Sequence, residues 1–166
     1  MKNIIIVRHA KSDWDSGAKT DFDRPLNQRG LKDAPKMSKK LSKKGIAPDI
    51  FISSPAKRAI TTCEYFAKEF DYPFTDIHQE KLLYSGNTSD YLDIISKVDN
   101  KKNNVILFGH NPVISHFASV LLNGNIGDMP TCAIVSIQLN IDNWSEINDD
   151  KKHDLLFIDY PKNTEK

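Results

Sequence analysis

Four consecutive β-branched residues, Ile4-Ile5-Ile6-Val7, are followed at once by Arg8-His9. An apolar run without alternation reads as a strand buried on both faces, the kind found in parallel sheets covered by helices. The polar pair at its carboxyl end falls where open α/β sheets place their ligands. The same sequence of apolar strand, polar residues and helix start occurs twice more. Asp49-Ile50-Phe51-Ile52-Ser53 leads to Arg58, and Val105-Ile106-Leu107-Phe108-Gly109 leads to His110. Three such junctions are expected to bring Arg, His, Arg and His to one sheet edge.

The rest of the chain alternates in the same way. A long polar loop spans 10–25, and loops of that length tend to be functional. Asn27 is a plausible N-cap for a helix ending before Gly45, with Pro35 expected to distort its first turns. Ser54-Pro55 has the cap-plus-Pro pattern of a helix start. That helix should run to about residue 70, with Ala59, Cys63, Phe66 and Ala67 facing inward. A short strand is expected over 74–78, a helix over 89–98 and a buried strand over 103–109. Asn111-Pro112 repeats the helix-start pattern, and the helix it opens should end near Asn123-Gly124. Beyond Cys132 the pattern reads as strands over 133–140 and 155–160, with a small strand around Trp144. These make an antiparallel pair at one edge. The fold class is therefore α/β, with a mostly parallel central sheet, an antiparallel edge and helices on both faces.

At 166 residues the chain suits a single domain over 1–162 with a polar tail at 163–166. A net charge of +1 gives no global attraction to nucleic acid or membrane, so any anion selectivity must be local. The N-terminal apolar run is too short for a signal peptide or a membrane span. Cys63 and Cys132 match no metal or redox motif and read as reduced, buried thiols in a cytoplasmic protein. Lys39, Lys40, Lys43 and Lys44 read as a solvated helix face. The oligomeric state is not encoded in any motif, and a monomer is the simplest expectation.

A phosphoryl pocket must replace the water around a dianion with fixed donors. Arg offers a planar fork matched to two phosphate oxygens, and Arg8 and Arg58 meet that need. Helix N-termini add backbone N–H groups near Arg58 and His110. A neutral imidazole can attack phosphorus in line, and a second, protonated one can stabilise the equatorial oxygens. His9 is the expected nucleophile, because it follows the strand directly and Arg8 disfavours its protonation. His110 is the expected electrostatic partner. Ser12 and Arg24 are second-rank candidates at the substrate loop, Trp14 is a possible cover, and Asp23 should pair with Arg24. His116, His78 and His153 read as packing or surface residues. A zinc site from His9, His110 and an Asp lacks close ligand spacing.

Arg8-His9-Ala10, the run from Ser53 to Thr62 and Gly109-His110-Asn111-Pro112 occur in this order, each at its own strand-to-helix junction. Together they resemble the histidine phosphatase superfamily. Arg8-His9-Ala10-Lys11-Ser12, Asp23-Arg24-Pro25-Leu26-Asn27 and Arg29-Gly30 are similar to its small branch of SixA-type phosphohistidine phosphatases. The resemblance spans residues 2–161. It implies a three-layer α/β/α sandwich of phosphoglycerate mutase-like type and a covalent phosphohistidine at His9. It also implies phosphate binding by Arg8, Arg58 and His110, with no metal and no other cofactor.

Two departures bear on substrate. Ala10 stands where the superfamily usually has Gly, as in the SixA-type variant. Larger members carry an acidic residue on an inserted segment that protonates the leaving oxygen, and there is no room for it between Thr62 and Asn104. Glu80 is the nearest acid in order. Expelling an alkoxide at neutral pH demands a proton donor. Expelling imidazole does not, since its conjugate acid has a pKa of about 6.5. The expected function is thus hydrolysis of phosphohistidine on a protein, unless Asp21, Asp23 or Glu80 reaches the leaving group. The alternatives are a phosphomonoesterase for small metabolites, a phosphoglycerate mutase, and a non-catalytic phosphate-binding module.

Overall fold

The apolar runs form the centre of a six-stranded sheet in the computed structural model, which describes residues 1–148 and 150–162. The strands are β1 (Lys2–Arg8), β2 (Ile50–Ser53), β3 (His78–Gln79), β4 (Asn104–Gly109), β5 (Ile134–Leu139) and β6 (Asp154–Asp159). The helices are α1 (Gln28–Ser42), α2 (Lys57–Glu69), α3 (Leu82–Ser85), α4 (Thr88–Ser96) and α5 (Val113–Leu122). The sheet order is β3-β2-β4-β1-β5-β6. β3, β2, β4 and β1 run parallel, while β5 is antiparallel to both β1 and β6. This is the α/β fold with an antiparallel edge that the apolar patterning predicted. The polar tail expected at 163–166 lies outside the described residues.

Successive β1 side chains point to opposite faces, and both faces are covered. Ile5 and Val7 pack with Met37, Leu41, Cys63 and Phe66 from α1 and α2. Ile4 and Ile6 pack on the other face with Tyr91, Ile95, Phe117 and Leu121 from α4 and α5. An uninterrupted run of β-branched residues suits a strand with no solvated face, and each buried side chain of this kind contributes roughly 1.5–3 kcal/mol.

Asn27 caps α1 as expected, its side chain accepting from the Gly30 N–H at 2.8 Å. Several local expectations need correction. α1 runs unbroken through Pro35, which sits on the outer side with Leu31, so losing one N–H there leaves the buried stripe intact. α2 begins at Lys57, with Ala56 rather than Ser54 at its N-cap. α5 begins at Val113, with Pro112 at the N-cap and no side-chain cap from Asn111. Residues 74–76 form a 3-10 turn, leaving only His78–Gln79 paired to β2. Trp144 also lies in a 3-10 turn, fully buried, with its indole N–H donating to the Lys102 carbonyl at 2.7 Å. Phe74 of the first turn is half exposed, whereas Trp144 is anchored in the core.

Candidate functional site

Parallel register brings the junctions together. Arg8 pairs with Gly109, so the next residues, His9 and His110, emerge side by side at the carboxyl edge of the sheet. Their ring centroids are 5.0 Å apart. The pairing extends past the strand ends: the His9 N–H donates to the Gly109 carbonyl at 3.2 Å, and the Ser54 N–H to the Phe108 carbonyl at 3.0 Å. Gly109 is needed for a close approach, since a Cβ there would stand 2.6 Å from the Tyr91 hydroxyl. That hydroxyl is anchored on the Leu83 carbonyl at 2.6 Å and lies 3.4 Å from the His110 N–H. Thr62 ties α2 to the same edge. Its hydroxyl accepts from the Ala10 N–H at 3.0 Å and donates to the Arg58 carbonyl at 2.7 Å.

Both arginines are held by their terminal nitrogens. Arg8 Nη1 donates to the Met129 carbonyl at 2.8 Å. The Met129 segment is fixed in turn by Asn111 and Ser115, which also bond to each other. Arg58 donates from Nη1 to the Asp21 carbonyl at 2.7 Å and from Nη2 to the Asp21 carboxylate at 2.9 Å. Arg8 Nε, Arg58 Nε and His110 Nδ1 are buried and find no partner among the described residues. A buried unpaired polar group costs about 1–3 kcal/mol. Three such nitrogens, on groups that act electrostatically on one another, fit an anion that takes the two guanidinium donors and, where Nδ1 carries the ring proton, the imidazole as well.

The two imidazoles are both held neutral. Burial lowers the His9 pKa to about 3, helped by the charges of Arg58, Arg8 and Arg24 and opposed by its bond to the Ala10 carbonyl. Burial therefore does most of what Arg8 alone was expected to do, and Arg58 acts more strongly than Arg8. His9 Nδ1 lies 2.7 Å from the Ala10 carbonyl, which can only accept. The ring proton is thus on Nδ1, and the Nε2 lone pair is left free. His110 is also lowered to about 3, first by burial and then by His9 and Arg58. The unliganded site therefore holds a neutral His110, not the protonated partner expected from the chemistry alone.

A second layer surrounds this pocket. Arg24 donates to Ser12 at 2.5 Å and to the Asp21 carboxylate from Nε and Nη2 at 3.1 and 3.0 Å. Its guanidinium stacks 3.6 Å over Trp14. The expected Asp23–Arg24 pair does not form, because Asp23 bonds Thr20 and Asp21 takes Arg24. Tyr84 donates to the other Asp21 oxygen at 2.9 Å and stands edge-on to the His110 ring at 5.4 Å. Burial works to raise the Asp21 pKa, but hydrogen bonds from Tyr84, Arg58 and Arg24 outweigh it and bring it down to about 2.

Tyr84 has no motif that would mark it in the sequence, and Thr62 closes the run from Ser53 without a role having been assigned to it. Ser54 looks like a helix cap. Its hydroxyl does accept from the Ala56 N–H at 3.2 Å, but it also lies 2.7 Å from His110 Nε2. Glu80 follows β3 at the same sheet edge, and its N–H donates to the Ser53 carbonyl at 3.0 Å. Among the described residues its carboxylate has no hydrogen bond or ion pair to the site, and its charge acts on Lys97. His78 and His116 are exposed, while His153 is buried and accepts from the Asn140 N–H at 2.9 Å. Among the described residues no three His, Cys, Asp or Glu side chains could hold a metal ion, and no helix is long and apolar enough to cross a membrane.

Comparisons with known proteins bear on the family and the fold. Residues 4–84 match the family model described as histidine phosphatase superfamily (branch 1). An uncharacterized chloroplastic protein of Arabidopsis thaliana is 32% identical over 153 residues, covering 87% of this chain and 70% of that protein. A 2,3-bisphosphoglycerate-dependent phosphoglycerate mutase of Nautilia profundicola is 36% identical over 78 residues. That match takes in 46% of this chain and only 34% of the mutase. Among solved structures, the protein histidine phosphatase SixA complexed with tungstate superposes with a TM-score of 0.81. The superposition covers 96% of this chain and 97% of that one, at 22% identity, and shows a shared fold.

Proposed function

The chain belongs to the histidine phosphatase superfamily, and from that premise we propose that it hydrolyses phosphohistidine on a protein through a phosphoenzyme formed at His9. The observation that carries this reading is the trio of buried unpaired nitrogens, Arg8 Nε, Arg58 Nε and His110 Nδ1, beside a neutral His9. A phosphoryl group seated on those nitrogens presents phosphorus to the free Nε2 of His9. Attack forms the Nε2–P bond as the bond to the leaving group breaks, and the leaving group departs with the electron pair. Arg8 and Arg58 stabilise the oxygens as charge redistributes. Water then attacks the phosphohistidine, inorganic phosphate leaves and His9 returns to its starting form.

The surroundings favour a nitrogen leaving group. The acid nearest the pocket, Asp21, is ionised at neutral pH and so carries no proton to give. Asp23 is turned toward Thr20, and among the described residues the Glu80 carboxylate makes no bond to the site. An imidazole leaving group needs no strong donor, because its distal nitrogen can already carry a proton. One observation favours a second reading, a phosphomonoesterase for small metabolites. Tyr84 keeps its phenolic proton, burial and Asp21 both raising its pKa, and its ring stands edge-on to His110 at the pocket, a proton donor of the kind that an ester oxygen needs. The solved SixA structure is itself described as a protein histidine phosphatase, which supports the first reading. A cytoplasmic location and activity as a monomer without metal complete the proposal.

Phosphorus NMR of one mixture tests it, using a phosphohistidine-bearing carrier domain, phosphoserine and a sugar phosphate with EDTA present. The expected result is selective loss of the phosphohistidine signal, abolished in His9→Ala. Faster loss of the esters would replace the first reading with the second. Undiminished turnover by His9→Ala would remove the nucleophile assignment.

A further inference from the structure

The contact between Ser54 and His110 joins two junctions 56 residues apart in the chain. Ser54 is completely buried, and its backbone is pinned by the bond from its own N–H to the Phe108 carbonyl. Its hydroxyl oxygen accepts from the Ala56 N–H at 3.2 Å and lies 2.7 Å from His110 Nε2. A serine hydroxyl has one proton to donate, and a neutral imidazole has one nitrogen that donates and one that accepts. Among the described residues the Ser54 hydroxyl contacts no acceptor other than His110 Nε2. If Nε2 carried the ring proton, the Ser54 oxygen would accept from both the Ala56 N–H and the ring, and the buried Ser54 O–H would be left without an acceptor. If Ser54 donates to Nε2, both atoms are satisfied and the ring proton moves to Nδ1. His110 Nδ1 is one of the buried nitrogens with no partner.

We infer that Ser54 is a positioning residue that holds His110 as its Nδ1–H tautomer, so that the imidazole meets a bound phosphoryl group as a hydrogen-bond donor. The donor role rests on the phosphate reading of the site, whereas the tautomer does not depend on it. Ser54 acts here as Ala10 does for His9. The Ala10 carbonyl draws the proton to Nδ1 and frees Nε2 of the attacking ring, while the Ser54 hydroxyl occupies Nε2 of the second ring and exposes its N–H. Two adjacent histidines in one pocket thereby receive opposite tasks, one to present a lone pair and the other a proton. The neutral state that burial imposes on His110 makes this assignment consequential, since an imidazolium would donate from both nitrogens whatever Ser54 did.

Nitrogen-15 NMR of the histidine rings tests the inference, with His110 assigned by comparison with His110→Gln and inorganic phosphate as the probe. The expected spectrum of the unliganded protein shows a protonated Nδ1 and an unprotonated Nε2 at His110, with the Nδ1 signal moving on addition of phosphate. Ser54→Ala should release the preference and weaken both phosphate binding and kcat/KM by about tenfold, the order expected for one misdirected hydrogen bond to an anion. Ser54→Thr should restore the wild-type ring signature. A wild-type His110 protonated at Nε2 overturns the inference without a variant, and so does a Ser54→Ala spectrum that matches wild type. A ring protonated at Nδ1 that ignores phosphate overturns the donor role and the phosphate reading while leaving the tautomer in place.

Discussion

Burying two histidines side by side as neutral rings makes the fold sensitive to acid, by an amount that follows from their pKa values. His9 and His110 both fall to about 3 in the folded protein, against an ordinary value of about 6.5 in the unfolded chain. Between those two pH values the unfolded chain binds a proton at each ring and the native protein does not. Stability must therefore fall as pH falls through that window, by about 1.36 kcal/mol per pH unit for each ring. At about pH 5 each histidine has moved roughly 1.5 units below its unfolded pKa, a loss of about 2 kcal/mol per ring relative to neutral pH. That is a large part of a typical domain stability of about 5–15 kcal/mol.

His9→Asn isolates one ring. Urea unfolding of wild type and variant at about pH 7.5 and about pH 5 gives four stabilities, and carboxylate contributions common to both proteins cancel in the difference. The variant should lose about 2 kcal/mol less than wild type over that interval. Equal losses in the two proteins would mean that His9 takes up a proton in the native state near its ordinary pKa. The reasoning from burial would then fail, and with it the neutral state that leaves the Nε2 lone pair of His9 free.

Two further substitutions probe the construction of the pocket. Arg58→Ala removes a buried charge-assisted donor and should lower kcat/KM by the equivalent of about 1.5–3 kcal/mol, with Arg58→Lys recovering little, because a point charge cannot hold Asp21 and phosphate at once; steady-state kinetics checks this, and an unchanged kcat/KM removes Arg58 from the site. Gly109→Ala places a methyl 2.6 Å from a Tyr91 hydroxyl that its bond to Leu83 prevents from swinging away. It should cost about 1–3 kcal/mol of stability and displace His110, with Tyr91→Phe in the same chain giving partial relief in denaturation and activity assays.

How far the sequence can be read depends on the range of the forces involved. The runs that became β1, β2 and β4 were legible because an unbroken apolar segment is stable only where both faces are covered. The cap at Asn27 was legible because a side chain and a backbone N–H three residues on settle it between them. Short segments were not legible: residues 74–76 and Trp144 take 3-10 turns, since a segment of three or four residues carries too little periodicity to fix its conformation, and Trp144 is held by a burial that only the fold supplies. Ser54 shows the limit at the site itself. Its local signature is that of a cap, and its contact with His110 exists only because β2 and β4 are neighbours.

By itself, the sequence determined that apolar strands would lead into Arg8 and His9, into a helix start carrying Arg58, and into His110, because strand burial and helix starts depend on residues within a few positions of one another. Only the tertiary structure decided how those groups are charged and held. The depressed histidine pKa values come from desolvation, which no residue produces alone. The Asp21 carboxylate is kept ionised by Arg24, Arg58 and Tyr84, and the last of these is 63 residues distant. Electrostatics and hydrogen bonding act through space, so they are settled only once parallel pairing has set the register that brings distant segments within reach.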